Sequence, residues 1–160
     1  MQTILSTLAL TLLLAGCSKG PQLSPIFNGK DLDGWVTQRG FIWSVSDGML
    51  IGKSDPQQKG DILFTAKNDY KNFIVELDFK LGEGRVDTGV FLRDSKEQIQ
   101  IGESGSLKRD MTALPYIPAI KGYPVQVKTA EEVFDKTDWN TLKIQVIGKS
   151  YTTWLNGTEI

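Results

Sequence analysis

There is no histidine among the 160 residues. That excludes Ser-His-Asp and Cys-His catalysis and any histidine-ligated metal site, and it leaves acid–base work to Asp, Glu, Lys, Tyr or water. There is one cysteine, Cys17, so no intrachain disulfide can form. The apolar run Ile4–Ala15 is too short for a comfortable transmembrane helix. A formal net charge of −1 argues against a nucleic-acid binder. What the chain does have is glycine: sixteen residues, scattered among short apolar runs, which suits an all-β chain rich in turns. Its length suits one domain with a real core.

Residues 1–16 read as a targeting segment rather than as part of the fold. The segment ends Leu14-Ala15-Gly16 before Cys17, which resembles the bacterial lipoprotein box. Small residues before the cut fit a signal peptidase pocket, and the Cys17 thiol would carry the diacylglycerol. An ordinary secretory signal with an incidental cysteine is the alternative, and the n-region Met1-Gln2-Thr3 carries no Lys or Arg. By resemblance to Gram-negative lipoproteins, Ser18 after the cysteine favours the outer membrane. The chain is thus expected to be a lipid-anchored cell-envelope protein on the periplasmic or surface side. Residues 17–25, with Gly20, Pro21 and Pro25, form a tether, and the domain runs over 26–160.

Within the domain, 88–102 organises the rest. Gly89–Arg93 and Glu97–Ile101 read as strands around a polar turn at 94–96. Ile99 and Ile101 point one way, Gln98 and Gln100 the other. Arg93 is expected opposite Val90 and Leu92. One surface would then present a guanidinium and two carboxamides, the groups that hold a neutral, hydroxyl-rich ligand. The plain alternative is the solvent side of a half-buried hairpin.

Other strands follow the same logic. Phe41–Val45 and Met49–Ile51 flank the turn Ser46-Asp47-Gly48. Asp61–Thr65 is a short strand. Phe73, Val75, Leu77 and Phe79 share one face of the clearest strand, with Glu76, Asp78 and Lys80 on the other. Those two carboxylates lie roughly 7 Å apart along a strand, within glycosidase range, although a solvated face with charge pairing is the better reading. Asp31 and Asp33 fit a structural turn better than a calcium loop. Residues 81–87 read as a β-turn connection. Residues 103–124 show no period and carry Lys108, Arg109, Tyr116 and Tyr123, a long loop that could be functional or merely basic and mobile. Val125–Val127 is a short strand, 131–136 a turn or one helical turn, and 142–147 and 151–155 a hairpin. Asn156-Gly157 opens a further turn.

The runs GVFLR and EQIQIG, with FNGKDLDGW upstream and DWNTLKI and WLNG downstream, resemble the 3-keto-disaccharide hydrolase family from Ile26 onward. The resemblance implies a two-sheet, jelly-roll-like β-sandwich of the concanavalin A-like lectin/glucanase type that handles carbohydrate. It also implies a further strand beyond Ile160, so the chain is expected to be C-terminally truncated.

The reaction implied is cleavage of the glycosidic bond of a sugar oxidised at C3. A carbonyl there acidifies the C2 proton, and the enolate expels the C1 substituent. Such a site needs a carboxylate base and donors facing the enolate oxygen. Glu97 and Glu103 flank the amide pair as candidate bases, and Arg93, Lys108 or Arg109 could face the oxyanion. Gln98, Gln100 and Tyr123 would bind the sugar, the tyrosine by stacking. A divalent cation held by carboxylates could serve in place of the basic residues. Relatives carry Tyr-Glu-x-Gln-Ile in this strand, and here Gln98 takes the glutamate position. Either the base has moved to Glu103, Glu97 takes over through a bulge, or the protein is a non-catalytic glycan-binding module.

Overall fold

A computed structural model describes residues 20–38, 42–53, 60–93 and 97–160. The expected targeting segment, Cys17 and the 94–96 turn lie outside them.

The chain is a β-sandwich. One layer is a four-stranded antiparallel sheet in the order β11-β10-β9-β5, made of β5 (Phe73–Phe79), β9 (Asn140–Ile147), β10 (Ser150–Leu155) and β11 (Thr158–Glu159). The other is a three-stranded sheet in the order β6-β7-β8, made of β6 (Asp87–Leu92), β7 (Glu97–Gly102) and β8 (Pro115–Tyr116). Two small pairs complete it: β1 (Trp35–Thr37) with β4 (Leu63–Thr65), and β2 (Trp43–Ser46) with β3 (Met49–Gly52). A 3-10 turn, Pro118–Ile120, and one short helix, α1 (Thr129–Val133), connect β8 to β9.

Period-2 alternation builds the core. Leu142, Ile144 and Val146 of β9 are fully buried against Leu92, Ile99 and Ile101 from the facing sheet. Burying a side chain of this size contributes about 1.5–3 kcal/mol. Phe79 joins the same cluster, with Phe73, Val75 and Leu77 packed at its margin, so one face of β5 meets the second sheet as expected. Its other face is solvated. Glu76 is opposite Lys143, whose Nζ lies 4.6 Å from the Trp154 ring centroid, and Asp78 accepts a 2.6 Å bond from the Thr141 hydroxyl. These two acids work as cross-strand partners.

Turn chemistry closes the hairpins. Asp47-Gly48 and Asn156-Gly157 both have two successive positive φ angles, 52° and 75°, then 50° and 82°. That geometry matches the twist of the flanking strands and suits Asp-Gly and Asn-Gly. Two of the sequence motifs meet here. Asn156 donates through Nδ2 to Oδ1 of Asn140 at 2.8 Å, while Asn140 Nδ2 donates to the carbonyls of Asp135 and Asp138. The FNGKDLDGW motif is likewise architectural. Asn28 and Asp31 form nested Asx-turns, with the Asn28 side-chain oxygen accepting from Lys30 N and Asp31 Oδ1 from Asp33 N.

Three elements depart from the sequence reading. Val125–Val127 is irregular, because Pro124 precedes it and it has no ladder partner among the described residues. Trp35–Thr37 is a strand, paired with β4. The 103–124 stretch is an ordered return rather than a mobile loop. Ala113 N donates to Gln100 O, Gln100 N to Leu114 O, and β8 then pairs with β7.

Candidate functional site

The site grows from the β6–β7 ladder. Its register pairs Asp87 with Gly102, Gly89 with Gln100 and Phe91 with Gln98. Residues at these positions face away from the core, because Val90, Leu92, Ile99 and Ile101 face into it. Asp87 and Gln100 thus each stand opposite a glycine. The space that a side chain would take is used by the amides: a Cβ on Gly89 would lie 2.4 Å from Gln98 Nε2. Gln100 donates through Nε2 to Asp87 Oδ1 at 2.9 Å, and Gln98 Nε2 reaches Gln100 Oε1 at 3.5 Å.

One wall comes from the bend after β7. Gly102 at φ 86° turns the chain, and a Cβ there would meet the Val86 carbonyl at 2.3 Å. Ser104 then folds the loop: its carbonyl accepts from Lys108 N, its amide donates to Arg109 O, and its hydroxyl lies 3.1 Å from that of Ser106. Gly105 stands beside Asp87, where a Cβ would sit 2.6 Å from Oδ2. The opposite wall is Tyr116, at the end of β8, and Tyr123, with ring centroids 5.2 Å apart. Tyr123 is held by a second buried cluster with Met111 and Leu114.

Together these enclose a pocket of about 160 Å³, with Asp87 and the two amides as floor and the serines and tyrosines as walls. That is below the roughly 300–1,000 Å³ of drug-sized ligand sites, and suits a single ring. Burial raises the Tyr123 pKa above its ordinary value. The nearby Asp87 and Tyr116 add to the rise and a hydrogen bond with Ser104 partly offsets it. The phenol is therefore a proton donor at neutral pH. The pocket combines one carboxylate, neutral hydroxyl donors and amides, a set able to remove a proton and stabilise the charge left behind.

The residues expected from sequence divide. Gln98, Gln100 and Tyr123 line the pocket. Arg93 does not: it lies one residue past β6 at φ 57°, and its guanidinium donates to the carbonyls of Lys71 and Gly148. Arg109 turns outward to Gln126 and to Glu131, 3.6 Å away. Lys108 is exposed at φ 56° and does not line the pocket. Glu97 has the parity of Ile99, so it faces the other sheet and accepts the Tyr151 hydroxyl. Glu103 pairs with Arg85 at 2.8 Å outside the pocket. The pocket carboxylate is Asp87, which the glycine-rich surroundings had disguised as a turn residue. Extending the hairpin register by two residues past Gly89 would have found it. Among the described residues no group of three or more Asp, Glu or Cys stands together to hold a metal ion.

None of the curated proteins matches the chain. Residues 22–160 match the family described as the 3-keto-alpha-glucoside-1,2-lyase-like domain. The match spans the sandwich and the pocket alike, and the chain belongs to that family.

Proposed function

We propose that the pocket binds the oxidised ring of a 3-keto-glycoside and that Asp87 removes its C2 proton. The observation that carries this is a carboxylate and a buried, protonated phenol lining one pocket over an amide floor. Asp87 Oδ2 takes the proton, and the electron pair moves into the C3 carbonyl as an enolate. The Tyr123 and Ser104 hydroxyls are the donors for that oxygen. Collapse of the enolate breaks the C1–O bond. The departing oxygen takes a proton from the protonated Asp87 or from water, leaving an enone to which water adds. The family match and the pocket's neutral donors support this reading.

The test is release of the aglycone sugar from a 3-keto-disaccharide, together with solvent deuterium exchange at C2. Asp87→Asn should abolish both while ligand still binds. Full activity in that variant would move the base elsewhere. Saturable binding with no turnover by the unaltered chain would favour a glycan-binding module. That second reading is favoured by Gln98, a carboxamide at the position where the family resemblance implies a glutamate.

The chain is further proposed to be exported and lipid-anchored through Cys17, on the strength of Leu14-Ala15-Gly16-Cys17. Metabolic labelling with a fatty acid tests this, and label that persists in Cys17→Ser would sink it.

A further inference from the structure

We infer that Gln100 is a positioning residue for Asp87. It ties one carboxylate oxygen, Oδ1, and leaves Oδ2 as the atom that meets the ligand. This rests on the reading of Asp87 as the base.

The inference starts from the contrast between the two residues. Asp87 opens β6 and is exposed, so its carboxylate would otherwise turn freely about two side-chain bonds. Gln100 is 2 % exposed. Its backbone is bonded on both sides, N to Leu114 O and O from Ala113 N, each at 2.9 Å. Its side chain is held at both ends as well. Oε1 faces Gln98 Nε2, and Nε2 donates to Asp87 Oδ1. The negative charge of Asp87 dictates that orientation, since only the NH₂ end can bond a carboxylate. The chain of donors therefore runs one way, from Gln98 through Gln100 to Asp87.

The glycines fit this assignment. Gly89 leaves the room in which the Gln98 amide lies. Gly105 leaves the space directly beside Oδ2, where any Cβ would stand at 2.6 Å. One oxygen is thus bonded to a buried donor, and the other borders the open part of the pocket. Holding a base in one orientation lowers the entropy lost on reaching the transition state. The other charged or titratable groups around Asp87 are Tyr123 and Tyr116 from the opposite wall and Arg85, which is paired with Glu103.

The experiment compares the full chain with Gln100→Leu and the isosteric Gln100→Glu. It follows the side-chain mobility of Asp87 by ¹³C NMR relaxation at one pH, and kcat and KM on a 3-keto-disaccharide. Gln100→Leu should loosen the Asp87 carboxylate, which then lacks its bond to Oδ1. It should lower kcat by about ten- to a hundredfold, with KM held within about threefold. Gln100→Glu should loosen the Asp87 carboxylate as well, because a carboxylate offers no N–H to Asp87 Oδ1. Should Gln100→Leu fail to fold, Gln100→Glu carries the test. An Asp87 side chain no more mobile than before, or a raised KM at constant kcat, would overturn the inference, the latter by making Gln100 a substrate ligand. The relaxation measurement is independent of turnover. If the unaltered chain cleaves nothing, the proposed reaction fails while the link between Gln100 and Asp87 is still decided.

Discussion

The hydroxyl of Tyr151 on β10 donates to the carboxylate of Glu97 at the start of β7, tying the two sheets together at the margin of the core. Glu97 is thus engaged in a cross-sheet bond and lies outside the pocket lining. Glu97→Gln and Tyr151→Phe should each destabilise the fold by about 1 kcal/mol. The double variant should cost less than the sum of the two. Sugar cleavage and sugar binding should be unchanged in all three. A loss of turnover in Glu97→Gln at unchanged melting temperature would return this residue to the list of candidate bases.

Gly105→Ala should separate ligand recognition from stability. The backbone at Gly105 does not need a positive φ, so alanine is acceptable to the fold. Its methyl group would displace the Asp87 carboxylate, and the rate on a 3-keto-disaccharide should fall by about tenfold or more. Thermal unfolding should barely move. An unaffected rate would mean that Oδ2 does not act where the pocket places it.

Asn140 is 2 % exposed and uses all of its side-chain capacity. Besides its two donated bonds it accepts from Asp135 N at 2.9 Å and from Asn156 at 2.8 Å. Asn140→Ala removes four bonds to Asp135, Asp138 and Asn156 and should cost about 2–3 kcal/mol. Denaturant unfolding measures this. A cost below that of an ordinary surface substitution would show that water satisfies the network instead.

Acid sensitivity should come from exposed aspartates in turns. The backbone N–H of Thr137, and then its hydroxyl, hold the Asp135 carboxyl below its usual pKa. Asp138 is lowered in the same direction, first by the Trp139 amide and then by Lys80. The unfolded chain takes up these protons near the ordinary aspartate pKa of about 3.9. The folded chain does so only at lower pH. Their contribution is thus whole above about pH 4 and is lost as the pH falls through the folded values. Scanning calorimetry across that range should show a falling midpoint, and Asp135→Asn should flatten the fall. An identical acid limb in the variant would remove Asp135 from this role.

The sequence carried the elements whose signal is local. The alternation of Phe73–Phe79 and Leu142–Val146 is a one-dimensional record of which side is dry. Asp47-Gly48 and Asn156-Gly157 encode their turns in adjacent residues. The position of Glu97 was equally legible, since it shares the parity of Ile99 and Ile101 and not that of the amides. Three features had no such record. β8 is two residues long and is held by backbone bonds, so it leaves no period. Tyr116 and Tyr123 meet only because Ile117 pairs with Gly122 and folds the chain back. Arg93 follows its strand by one residue, and a left-handed backbone swings it out of the face that alternation assigned to it. Glycine misled for a different reason: Gly82 and Gly84 drew Asp87 into a turn reading of 81–87, whereas Asp87 opens β6.

Among the described residues, those lining the pocket all fall between Asp87 and Tyr123. The four-stranded sheet contributes none of them. The pocket is therefore written in one stretch of the gene, together with the three-stranded sheet that carries it. Cassette exchange over that single run, with the β5–β9–β10 layer untouched, would carry a different ligand preference onto the same sandwich. Drift in the outer sheet would leave the preference where it was.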